Sequence, residues 1–196
     1  VGTRRFASMT NITRSEFGDL RSGATDLTPS PGNWDCNYYS YRYKTVSGTE
    51  RDTQVVNPDN NLQRRTGYHQ MDFMQRFSLR TGNFTTHGLN VQYSESSDIN
   101  RYDRLSETNG TITVIDPEGN ARTAPRLRFA DWYYGPQKRL LASYSLENTR
   151  TTSFSDQVRI ITAYQKLDQD RITRNFTSSI RTTQQEDVIV FSLNAD

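Results

Sequence analysis

The sequence predicts an all-β chain: an antiparallel transmembrane β-barrel segment of about six membrane strands, with long extracellular loops, one of which contains a β-hairpin. Three observations lead there. Apolar and polar residues alternate one by one over several stretches, as the two faces of a strand require. The connectors between these stretches alternate between short and long, as tight periplasmic turns and extended outer loops do. Only 33% of the 196 residues are hydrophobic, yet 11 are Tyr, 9 Phe and 2 Trp, so the apolar material sits in rings and not in runs.

Taken in order, residues 4–17 are rich in Thr and Ser, only loosely patterned, and make the first expected crossing. The long connector 18–66 holds YYSYRYKTV at 38–46, then SGT and ERDTQVV, which reads as a β-hairpin standing within the loop. Residues 67–81 alternate most clearly, with Met71, Phe73, Gln75, Phe77 and Leu79 on one face and Tyr68, Gln70, Asp72, Met74, Arg76, Ser78 and Arg80 on the other. A short turn leads to 86–96, where Leu89, Val91 and Tyr93 oppose Asn90, Gln92 and Ser94. The long link 97–127 contains Asp116, Pro117, Glu118 and Gly119, a strong turn signal between two strand-like runs. Residues 138–147 alternate again, although Leu140, Leu141 and Tyr144 also fall at helical spacing, so a helix is a rival. Strands are expected over 156–168 and 186–196, with a short link at 147–155 and a long one at 169–183.

Composition narrows the class further. So many aromatic residues argue against disorder, and 24 basic residues interleaved with 22 acidic ones leave no basic stripe for nucleic acid. A single cysteine, Cys36, makes no internal disulfide and reads as a loop thiol. No stretch approaches the ~20 apolar residues of a membrane helix, which says nothing against a barrel. No nucleophile elbow, phosphate-binding glycine loop or HExxH metal motif occurs, so no enzyme chemistry and no cofactor is expected.

Three stretches carry a family resemblance: FASMTNITRSEFGDLRSG at 6–23, SSDINRYDRL at 96–105, and RFADWYYGPQKRLLASYSLEN at 128–148. Together with the closing EDVIVFSLNAD, they resemble the strands and loop entries of TonB-dependent outer-membrane receptors of the Bacteroidetes type, over most of the chain. The resemblance implies that residues 1–196 form part of one receptor barrel domain in the bacterial outer membrane. It further implies a barrel of about 22 strands, with the plug domain and the TonB box outside this chain. The implied activity is TonB-dependent uptake of a scarce nutrient such as an iron-siderophore or haem. Expected partners are the remainder of the receptor, TonB through the plug, the nutrient, outer-membrane lipid, and a surface lipoprotein or larger membrane complex. The rivals are a passive porin-like barrel and a soluble cell-surface β-sandwich that binds glycan or protein.

Within that frame, the hairpin residues Tyr38, Tyr39, Tyr41, Arg42 and Tyr43 are the candidate surface for an extracellular ligand. Tyrosine rings give large contact area at low entropic cost, and a guanidinium pairs with carboxylates or stacks on rings. A self-packed loop cap is the alternative. At the base of the second loop, Asp98, Arg101, Asp103 and Arg104 alternate in sign; local ion pairs are expected, with ligand contact by Arg101, Tyr102 and Arg104 as the sharper idea. Trp132, Tyr133 and Tyr134 are expected in the aromatic girdle at the membrane interface, with packing in an ordinary β core as the alternative, and Gly135 and Pro136 beside them as a bend. Of the two histidines, His69 is better placed than His87 to meet an iron centre, since His87 adjoins a short turn.

Overall fold

The computed structural model describes residues 1–23, 37–116 and 118–196, so Cys36 and Pro117 lie outside the described residues. β1 (Phe6–Phe17) leads into β2 (Leu20–Arg21), which later pairs with β5 (Leu62–Gln63). Between them, β3 (Tyr38–Lys44) and β4 (Glu50–Val56) form the expected loop hairpin. β6 (Tyr68–Thr81) and β7 (Thr85–Ser96) are joined by a tight turn in which Gly82 adopts φ 74°, a conformation that suits glycine. Then follow β8 (Ile99–Asn100), a single helical turn α1 (Tyr102–Leu105), a second hairpin of β9 (Thr108–Ile115) with β10 (Ala121–Leu127), and β11 (Phe129–Tyr134). A cis Gly135–Pro136 peptide separates β11 from β12 (Lys138–Asn148), which precedes β13 (Val158–Asn175) and β14 (Thr182–Ala195).

Six long strands form one antiparallel sheet in the order β1, β6, β7, β12, β13, β14. Their pairing is continuous, with no register shift from Phe6↔Leu79 at one flank to Thr173↔Thr182 at the other. β11 pairs with residues 171–175 of β13, beyond the end of β12, and β8 pairs with β11. The helical alternative for 138–147 is not adopted. β12 instead lies between β7 and β13, which satisfy its backbone on both sides.

One expectation is met in its class and one is corrected. The all-β antiparallel class is found, but the sheet is open: β1 and β14 stand at its edges and do not pair with each other. The connector placed at 169–183 shrinks to residues 176–181, because β13 runs on to Asn175 and β14 begins at Thr182. Residues 169–175 show no apolar alternation, yet 169–173 pair with 182–186 on one flank and 171–175 with β11 on the other. Strand length there is set by backbone partners, which hydropathy patterning does not report.

Register sorts the side chains into two sides. Cross-strand partners share a side of the sheet, so Phe73, Tyr93, Leu140, Lys166 and Ile189 form one row, and Phe77, Leu89, Tyr144, Thr162 and Leu193 another. This side is apolar and open to the surroundings: Ile12 is 67% exposed, Phe191 77% and Leu193 70%, and Met71, Leu79, Leu89 and Tyr144 are also exposed. No second sheet covers it among the described residues. Polar residues on it are neutralised locally. Gln75 accepts from Thr10 Oγ1 at 2.5 Å and donates through Nε2 to Ser8 Oγ at 2.9 Å. Lys166 reaches along the strand to Asp168, its Nζ 2.9 Å from the carboxylate, as a lysine does when its stem lies on apolar surface. At the loop end the apolar rows stop at a charged row of Glu95, Lys138, Asp168 and Asp187.

The other side is largely polar. It carries Gln70, Asp72, Arg76, Asn90, Gln92, Ser94, Arg139, Ser143 and Gln165. Here Asp72 accepts from Ser94 Oγ at 2.5 Å and from Gln70 Nε2 at 2.9 Å.

Candidate functional site

The two long connectors rise from the same end of the sheet, and their hairpins pack on each other. Gln54 of β4 is buried and bridges them: its Nε2 donates to the carbonyl of Pro125 at 2.7 Å, and its Oε1 accepts from the Leu127 amide at 2.9 Å. Alternation along β3 then divides the tyrosine-rich segment. Ser40 and Arg42 share a side with their partners Gln54 and Asp52, Ser40 buried and Arg42 exposed, whereas Tyr39, Tyr41 and Tyr43 face the other way. Tyr41 and Tyr43 are exposed, with ring centroids 6.3 Å apart, and Tyr39 is half-buried with the Arg64 guanidinium 5.1 Å from its ring centre. Arg42 is held by Glu50 at 2.9 Å. The five hairpin candidates therefore do not converge: an exposed tyrosine pair remains, with Arg42 and Tyr38 on the opposite side of the ribbon.

Beneath the hairpin lies a charge cluster that the sequence reading missed. Arg174, near the end of β13, donates through Nη1 and Nη2 to Asp52 at 2.6 and 3.0 Å and through Nε to Asp131 of β11 at 2.7 Å. Its side chain is 2% exposed and that of Asp52 3%. Arg65 adds a contact to Asp131 at 3.3 Å and donates to the carbonyls of Ser40 and Ala130, while Arg181 stands 3.5 Å from Asp131. Asp52 also accepts from the Thr177 amide at 2.9 Å. Burial acts to raise the Asp131 carboxyl, but the Arg174 hydrogen bond and the charges of Arg174 and Arg65 outweigh it and hold the group below its ordinary range. These residues border a cavity of about 260 Å³ that also touches Tyr41 and Arg42. No local pattern marks the cluster, because its members come from four separate segments.

At the base of the second loop, Arg101 forks onto Asp103 at 2.9 and 2.5 Å and lies 4.8 Å above the Trp132 ring. Arg104 is paired with Glu107 and stands 3.9 Å from Asp103. Arg101 and Arg104 thus sit in local ion pairs, and Tyr102 begins the α1 turn. The Arg101 hydrogen bond holds Asp103 below the usual carboxylate range, whereas burial pushes Asp98 up. Asp98 lies against Gly135, where an added Cβ would come within 2.7 Å of its Cα.

The aromatic triplet is also divided. Trp132 and Tyr134 lie on the polar side of the sheet, in an edge-to-face pair 5.2 Å apart, with Arg171 5.7 Å from the one ring and 5.5 Å from the other. Tyr133 falls on the opposite side, opposite Ile172. Trp132 is buried among these partners. His69 shares the side of Met71 and Phe73, and His87 bonds Thr81 Oγ1 at 2.9 Å and the Tyr144 hydroxyl at 2.7 Å near the short turn.

A further cavity, of about 530 Å³, opens on the polar side where β1 ends and β6 begins, between Phe17, Leu20, Tyr68, Ile99 and Tyr102. Phe17 and Tyr68 form a stacked pair with centroids 4.6 Å apart.

No protein-family model matches the chain, nor does any curated protein or solved structure.

Proposed function

We propose that the chain is a segment of a TonB-dependent outer-membrane receptor, forming barrel wall and outer loops for uptake of a scarce nutrient such as an iron-siderophore or haem. The observation that carries this is the uncovered apolar side of six consecutive antiparallel strands, backed by a polar side. Monomeric soluble proteins rarely expose contiguous apolar patches of more than a few hundred Å², and a β-sandwich would cover this side with a second sheet. Dimensions agree with a membrane wall. Ten residues of β12 separate Lys138 in the charged row from Asn148. At ~3.4 Å per residue they span about 34 Å along the strand. Tilted by ~35 to 45°, that gives a height of roughly 24 to 28 Å, against ~25 Å for the apolar band of outer-membrane barrels. Long apolar strands with free edges pair readily with other strands, and in this reading the two edges are met by further strands of the same barrel.

The short links 82–84 and 149–157 then face the periplasm, and the loops with the Arg174 cluster face outward. The cargo class and the role of TonB rest on the sequence resemblance, as do the plug and any surface lipoprotein. The test is to express the full-length protein in a Gram-negative host and follow it through fractionation. It should partition with outer membranes, need detergent to stay monodisperse, and change its electrophoretic mobility on boiling. A protein that stays monodisperse in plain buffer overturns the proposal in favour of a soluble surface domain.

A further inference from the structure

We infer that the 530 Å³ cavity is a binding site for a small molecule that combines a flat apolar or aromatic body with N–H or O–H donors. Its size falls within the ~300 to 1,000 Å³ typical of small-molecule sites, and its lining of rings and aliphatic chains with a few polar groups has their usual character. The polar groups decide what it takes. Thr66 is committed, donating to the Gln63 carbonyl at 2.8 Å and accepting from the Leu20 amide at 2.7 Å. Arg101 and Asp103 satisfy each other.

Two side-chain oxygens are left over: Gln63 Oε1 and Asn100 Oδ1 are both buried and without a hydrogen-bond partner. Gln63 is 2% exposed, the one large side chain fully buried among the described residues. A buried acceptor without a partner keeps its desolvation cost unrepaid, and two of them beside one cavity mark the place where a donor is missing. Both orphans accept, so the occupant must donate. An anion would have to compete with Asp103 for Arg101. The stacked Phe17–Tyr68 pair offers a face for a flat body.

The inference rests on the proposed function only for the route of arrival, since Phe17 and Tyr68 lie on the side assigned to the passage. The full-length protein, reconstituted in lipid nanodiscs, is titrated with phenylurea and with its fully N-methylated analogue, and binding is followed by saturation-transfer NMR. Phenylurea should bind saturably, and the methylated compound, which keeps the ring but has no donor, at least about tenfold more weakly. Gln63→Leu and Asn100→Leu should each weaken phenylurea about tenfold. Gln63→Leu should meanwhile hold or raise the Tm, because it removes an orphaned acceptor. Gly18→Trp, at a cavity position where an added Cβ meets nothing within 4 Å, should abolish binding.

Equal affinity for the two ureas, no saturation, or wild-type binding by both Gln63→Leu and Gly18→Trp would overturn the site. Should Gln63→Leu fail to fold, the urea pair and Gly18→Trp still decide. A protein that inserts as a heat-modifiable barrel but binds neither urea loses the site and keeps the proposed function. One that binds in the predicted order yet never enters a membrane keeps the site and loses the function.

Discussion

Arg174 joins carboxylates 122 and 43 residues away in sequence, and at 2% exposure it does so almost without water. An ion pair of this kind is weak evidence of net stability, but removing one partner strands the others. Arg174→Met leaves Asp52 and Asp131 buried with less compensation, and should cost about 3 to 5 kcal/mol. Hydrogen exchange at the β4 amides is the measurement: fast exchange there, with β6 and β7 still protected, is expected, and unchanged protection would show that the hairpin is held by other contacts. Acid should act on the same cluster. Asp131 titrates below its ordinary 3.8 in the folded chain, so its contribution is complete above that pH and fades as the pH falls further, toward the folded pKa. Asp103 follows the same sign. Asp98 opposes it, since burial makes its ionised form costly and protonation relieves that cost. Protection of the β4 amides, corrected for the intrinsic slowing of exchange in acid, should fall below about pH 4, and protection that stays constant from about pH 5 to about 2.5 would contradict the role given to Asp131.

At the scale of the strand, the two sides of β7 invite a paired substitution. Leu89 sits midway along the apolar side, between Phe77 and Tyr144, while Gln92 lies on the polar side. Leu89→Arg should cost about 2 to 4 kcal/mol in urea titrations of the protein folded into lipid vesicles, and Gln92→Arg close to nothing. Equal costs would mean that neither side faces lipid. These sides were legible beforehand: the split of 67–81 into Met71, Phe73, Phe77 and Leu79 against Gln70, Asp72 and Arg76 is the split observed. The two loop hairpins were legible as well, from strand-like runs flanking turn residues. The outer ends of β13 and β14 were not, because 169–175 carries a single apolar residue, Ile172, and owes its extended form to strands on either side.

At the scale of the whole molecule, the decisive property is a sheet whose apolar side no second sheet covers among the described residues. A soluble fold would bury Phe73, Leu89, Tyr144 and Phe191, whereas here they line one open surface. Energy dependence separates receptor from porin. If the full-length protein is a receptor driven through TonB, collapsing the proton gradient with an uncoupler should stop uptake in whole cells, and uptake that continues would identify a passive pore.

By itself the sequence determined what depends on neighbours one or two residues apart: strand periodicity, the side each residue takes, the position of turns, and the absence of a helical span. Only the tertiary structure decided what depends on distant segments meeting. It set the strand order, the length of β13, the pairing of Arg42 with Glu50, the burial of Trp132 under two guanidiniums, and the convergence of Asp52, Arg65, Asp131 and Arg174. The physical reason is range: a pleat is written in adjacent side chains, but a buried charge is stable only where remote partners have already been brought to it.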